Sequence, residues 1–155
     1  MLWPDIAVEV MAVPGHTRGH LAYFLPGDSD CAPPALFSGD VIFGLGCGRL
    51  FEGTAEQMFD ALTRIAQLDG ATRIYCAHEY TALNLPFALS VDPTNTVLIA
   101  RADRIRALRH AGRATLPLLL SEERATNPFL RCDQTPMVLA SGVEDGARPD
   151  QVFTQ

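Results

Sequence analysis

Residues 36–53 read LFSGDVIFGLGCGRLFEG. An apolar strand predicted over 35–37 breaks at Ser38-Gly39-Asp40, and glycines then alternate at 44, 46 and 48, just before Arg49. Alternating glycines admit backbone angles closed to other residues and let the chain approach a ligand closely. The spacing is not GxGxxG, and no Lys-Ser/Thr pair follows, so this is not a nucleotide-binding loop. Arg49 offers two coplanar donors that suit a carboxylate; a surface salt bridge is an equally simple use of it.

Upstream, Ile6, Val8 and Val10 alternate with Ala7, Glu9 and Met11, which predicts a half-buried strand stopped by Pro14-Gly15. The segment PGHTRGH, 14–20, therefore sets His16 just past a strand end, and a second strand is predicted over 21–25, closed by Pro26-Gly27-Asp28. Downstream the period changes from strand to helix. Thr54 and Gln57 form a capping-box pair ahead of an apolar face of Met58, Phe59, Leu62, Ile65 and Ala66. A short strand over 72–76 then delivers His78 to a sheet end, where ligands gather in layered α/β folds.

These patterns predict an α/β region over 1–80 and a mainly helical region over 81–155. Helices are expected over 81–90, 94–110 and 121–124, interrupted or separated by Pro86, Pro93 and Pro117, with a further one starting over 149–153. Leu98, Ala102, Ile105 and Leu108 form the core stripe of the middle helix. Arg101, Arg104, Arg106 and Arg109 are assigned to solvated faces. His110 ends that helix just before Gly112, where a cation meets the favourable end of the dipole.

Composition narrows the function classes. The 155 residues are 48% hydrophobic, enough for a real core, and the net charge of -6 leaves no basic stretch to neutralise several phosphates. Nucleic acid is thus not an expected partner. No apolar run reaches the roughly 20 residues of a membrane helix, and the first residues make no signal peptide, so the cytoplasm is the expected compartment. Cys31, Cys47, Cys76 and Cys132 form no CxxC pair and are read as free thiols.

His16, Asp40 and His78 combine imidazole nitrogen with carboxylate oxygen, a donor set suited to zinc, and a carboxylate can bridge two ions. Their long separations carry no geometry of the HExxH kind. Another reading of the same residues is purely structural: His16 in a turn, Asp40 accepting local backbone bonds, His78 a loop residue. His20 enters a strand and offers no obvious chemistry.

Together, PGHTRGHLAYF (14–24), LFSGDVIFGLGCGRLFEG, YCAHEYTALNLPFAL (75–89) and ERATNPFLR (123–131) resemble hydroxyacylglutathione hydrolase, the glyoxalase II branch of the metallo-β-lactamase superfamily. The resemblance implies the second portion of an αββα sandwich followed by a helical region. It implies hydrolysis of S-(2-hydroxyacyl)glutathione thioesters, such as S-lactoylglutathione, at two zinc ions, with iron or manganese as other metals the family admits. His16 and His78 match terminal ligands of different ions and Asp40 the bridging carboxylate. Arg49, Tyr80 and Asn84 match the substrate side, with Phe51 at a position that is tyrosine in some members. The family's THxHxDH stretch, which supplies four further ligands, has no counterpart in residues 1–15, so the isolated chain is expected to bind metal weakly and to be a doubtful catalyst. Two other readings are a non-catalytic remnant or interaction module that self-associates through exposed sheet surface, and a persulfide dioxygenase using one iron.

Overall fold

The computed structural model describes residues 7–27, 32–144 and 146–154; Ile6, Asp28 and Cys31 fall outside them. Strands β1 (Glu9–Ala12), β2 (Leu21–Leu25), β3 (Ala35–Gly39), β6 (Arg73–Cys76) and β7 (Leu118–Leu119) form one mixed sheet in the order β1-β2-β3-β6-β7. β4 (Ile42–Phe43) and β5 (Gly46–Cys47) make a separate two-stranded ribbon. β3 and β6 pair parallel, joined by a crossover containing helix α1 (Ala55–Ala66), while β1, β2 and β3 pair antiparallel in turn. β1, β3 and β6 therefore run the same way, and the loops leaving them emerge at one sheet edge. Those loops carry His16, Asp40 and His78.

Helix α1 forms where expected. The Thr54 hydroxyl accepts from Gln57 N–H at 3.2 Å and Gln57 Oε1 from Thr54 N–H at 3.0 Å, satisfying donors the first turn leaves free. Its face of Met58, Ala61, Leu62 and Ile65 is buried against Ala22, Phe24, Leu36, Ile74 and Leu118 of the sheet. Full burial of each large apolar side chain there contributes on the order of 1.5–3 kcal/mol.

The opposite sheet face is also apolar, and here the predicted phase of the first strand is corrected. Val8 and Val10 are exposed, and Val10, Tyr23, Phe37 and Tyr75 stand in register across four strands on the uncovered side. Phe37 and Tyr75 stack with centroids 5.1 Å apart. When both faces of a sheet are apolar, period-2 alternation cannot say which side meets the helix.

The helical region contains α2 (Thr81–Val91), α3 (Thr96–His110), α4 (Leu120–Thr126), a 3₁₀ turn (Pro128–Leu130), α5 (Thr135–Ser141) and α6 (Pro149–Phe153). Pro86 lies inside α2 without interrupting it, because Thr81, Leu85 and Ala88 hold the helix in place on its buried side. Arg101 is the second correction. It follows Leu98 by three residues and precedes Ile105 by four, so it shares their inward face and is 2% exposed, paired with Glu122 and Glu123. Arg104 and Arg106 lie on the solvent side as expected. No helix among the described residues is long and apolar enough to cross a membrane.

Candidate functional site

Three short loops at the shared sheet edge converge on one cleft of about 620 Å³. His16, Asp40, Arg49, Phe51, His78, Tyr80 and Asn84 all line it, so every residue singled out from sequence reaches the same place.

Asp40 sits at the centre. Its Oδ1 lies 3.3 Å from His78 Nε2 and its Oδ2 4.0 Å from His16 Nε2, one oxygen facing each ring. His16 Nδ1 is 2.8 Å from the Arg49 carbonyl, which can only accept, so Nδ1 donates there and Nε2 is the nitrogen left facing Asp40. A bond of this kind fixes the orientation of an imidazole ring. His78 is half exposed, and its ring stacks on Tyr80 with centroids 4.8 Å apart.

The loop after Asp40 is stitched to the loop of His16. Phe51 and Glu52 N–H both donate to the His16 carbonyl, at 3.1 and 3.3 Å, and Arg18 N–H donates to the Glu52 carboxylate. Arg49 and Phe51 are thereby held beside the imidazole, with the Phe51 ring 4.8 Å from that of His16. A side chain at Gly48 would strike the Asp40 carbonyl, so only glycine permits this return of the chain. Asn84 lines the cleft but commits an amide N–H to the Gly44 carbonyl at 3.0 Å. Glu79, beside His78, accepts from the backbone N–H of Thr115 at 3.0 Å and from its hydroxyl, tying that loop to the segment preceding β7.

Two residues not singled out from sequence prove important here. His20 Nε2 accepts the Asp40 N–H at 3.0 Å, under the Gly39 bend whose φ is +55°. Glu123, fully buried, accepts the Leu45 N–H at 3.0 Å. The repeated histidine of PGHTRGH is the one sequence signal that points to the first; nothing local points to the second.

The donor set suits a borderline metal, but its count is low. Each imidazole shares only Asp40, and among the described residues no group of three or more ligating side chains occurs. Asp40 with one imidazole makes two donors on either side, where zinc sites take three or four protein ligands. Burial pushes the Cys47 thiol, which lines the cleft, up to about 12 and that of Cys76 up to about 11, which holds both in the thiol form near neutral pH.

Known proteins are similar to this chain in sequence and in fold. Residues 79–155 match the family model described as "Hydroxyacylglutathione hydrolase C-terminus". The chain is 59% identical over 133 residues to the hydroxyacylglutathione hydrolase of Dechloromonas aromatica (strain RCB), covering 86% of this chain and 48% of that protein. It is 50% identical over 151 residues to that of Nostoc sp. (strain PCC 7120 / SAG 25.82 / UTEX 2576), covering 97% and 58%. The chain spans about half the length of the curated relatives it matches. In fold it is similar to a metallo-beta-lactamase from Staphylococcus aureus subsp. aureus COL, with a TM-score of 0.56 at 22% identity, covering all of this chain and 39% of the other. The BLEG-1 B3 metallo-beta-lactamase gives a TM-score of 0.52 at 20% identity, over 84% and 44%. In sequence, and in a sheet backed by α1 and followed by helices, the chain matches the hydroxyacylglutathione hydrolase, or glyoxalase II, family within the metallo-β-lactamase fold.

Proposed function

We propose that this chain carries the thioester-binding side and part of the metal site of a hydrolase acting on glutathione thioesters such as S-lactoylglutathione. The observation that carries this reading is Asp40 presenting one oxygen to each of His16 and His78 in the same cleft as Arg49. His16, Asp40 and His78 would hold a zinc pair. Zinc bound there supplies polarisation of the thioester carbonyl and activation of water toward deprotonation near neutral pH.

The chain's own residues do the rest. Arg49 binds a glutathione carboxylate through paired N–H donors, and Tyr80 offers a hydroxyl to the peptide part of the substrate. Phe51, Phe43 and Leu83 give the cleft apolar walls that limit water around the acyl carbon. Hydrolysis forms one C–O bond and breaks the C–S bond; the sulfur leaves as a thiolate, tolerable because thiols ionise at about 8–9. The described cysteines are free, which supports a reducing compartment, the cytoplasm, for this chemistry.

The test is spectrophotometric turnover of S-lactoylglutathione with added zinc, by the chain alone and by a form joined to an upstream HxHxDH-bearing segment. The joined form is expected to be active and the chain alone weak. Inactivity of the joined form, with zinc bound and the fold intact, would overturn the reading. Iron-dependent oxygen consumption by that form would instead favour a persulfide dioxygenase.

A second reading, an interaction module, is favoured by the in-register stripe of Val10, Tyr23, Phe37 and Tyr75 on the open sheet face. Exposed apolar patches of this kind mark association surfaces. Light scattering should find self-association that Phe37→Lys reduces. A monodisperse, cooperatively folding monomer would sink this reading.

A further inference from the structure

Leu45 is the one non-glycine residue with positive φ among the described residues, at 59°, a conformation that strains an L side chain. It stays there because the helical region grips it from two sides. Its side chain is fully buried in the cluster of Leu85, Ala88, Leu98, Ala102 and Ile105. Its backbone N–H donates to Glu123 Oε2 at 3.0 Å, and the same oxygen accepts from Asn127 Nδ2 at 3.0 Å. Asn127 Nδ2 also faces the carbonyls of Phe43 and Gly46, at 3.2 and 3.1 Å, on either side of Leu45.

Glu123 is 0% exposed, and a carboxylate so placed is costly unless paired. Arg101 supplies the pair at the other oxygen, and its Nε meets Glu122 at 3.2 Å. An apolar residue of similar size would fill this space more simply. What it would lack is an acceptor aimed at Leu45 N–H.

We propose that Glu123, held by Arg101, is a positioning residue for the cleft: it clamps the β4–β5 ribbon and, through it, Asp40 and Arg49. The connection is short. Gly48 N–H donates to the Val41 carbonyl at 3.2 Å, closing the ribbon onto the residue after Asp40, and Arg49, next along, gives its carbonyl to His16. One buried carboxylate thus sets the frame for three groups in the cleft. Its consequence for thioester turnover rests on the function proposed above; the clamp itself does not.

The test compares R101M/E123Q with R101M/E123M in this chain. Both remove the ion pair and leave no stranded charge at 101 or 123; only the first keeps an oxygen for Leu45. Hydrogen exchange at the Leu45 amide should be at least about tenfold faster in R101M/E123M than in R101M/E123Q, with tryptic cleavage after Arg49 accelerated in parallel; both variants should unfold cooperatively, R101M/E123M at the lower temperature because its Leu45 N–H is left unmet. Equal exchange in the two variants would overturn the proposal. So would loss of cooperative folding in either, since Glu123 would then serve the whole fold rather than the ribbon. In the joined, zinc-loaded form, R101M/E123M should lower kcat/KM for S-lactoylglutathione while R101M/E123Q restores it. Absence of turnover in the unmutated joined form, alongside the expected exchange pattern, would defeat the hydrolase reading and leave the clamp standing.

Discussion

His20 Nε2 accepts the backbone N–H of Asp40 at 3.0 Å, so the second histidine of PGHTRGH orients the residue that the first one faces. The bond spans two strands and lies under Gly39, where a Cβ would come within 2.7 Å of the same nitrogen. His20→Ala removes the acceptor and the ring packed beneath the bend. Leaving a part-buried donor unmet costs about 1–3 kcal/mol, to be read as a lower urea midpoint. His20→Gln, whose Oε1 reaches about as far as Nε2, should recover part of that loss. Identical midpoints for His20→Ala and the unmutated chain would show that the bond does not hold Asp40.

What the sequence discloses here is what local chemistry encodes. The Thr54–Gln57 box, the strand over 21–25 and the helix starting at Pro149 depend on neighbours within a few residues, and each forms as read. His20 and Glu123 gain their roles from partners 20 and 78 residues away, which no window of sequence can pair. Val10 shows the limit of periodicity: alternation identifies a strand, but two apolar faces leave its phase open. Arg101 shows the opposite error. Its charge suggests solvent, whereas its place in the 3.6-residue period sets it inward with Leu98 and Ile105.

Metal binding by this chain alone should be weak and should depend on Asp40 more than on either histidine. Asp40 faces both rings, so Asp40→Asn weakens both half-sites while His16→Ala or His78→Ala removes a ligand from one. Elemental analysis after dialysis is expected to find well below one zinc per chain, falling further in Asp40→Asn. Retention of two zinc ions would show that residues beyond these three complete the site.

Cys47 and Cys132 should resist alkylation at neutral pH. Burial raises both thiols to about 12, with Asp133 adding to the effect at Cys132. An unfolded thiol ionises near 9, so between pH 9 and 12 the unfolded chain releases protons that the folded one keeps. Stability therefore falls as pH rises through that window and is untouched by these groups below it. Urea midpoints at pH 7 and pH 10, with iodoacetamide labelling followed by mass spectrometry, check both statements. Rapid labelling of Cys47 and Cys132 in the folded chain at pH 7 would contradict them.

Arg49 and His78 line the same cleft and should fail differently in a zinc-loaded form that turns over S-lactoylglutathione. Arg49 is exposed at the rim, where the proposed paired contact to a glutathione carboxylate would hold ground state and transition state alike. Arg49→Ala is then expected to raise KM roughly tenfold or more with a smaller fall in kcat. Its backbone carbonyl, which fixes His16, survives the substitution. His78→Ala removes a proposed ligand and the electrostatic stabilisation of the developing oxyanion that depends on it, so kcat should fall on the order of 100-fold or more while KM moves little. Steady-state kinetics of both variants, with zinc content measured in each, separate the two roles. Unchanged KM in Arg49→Ala would assign that guanidinium to the surface and leave the glutathione carboxylates to other residues.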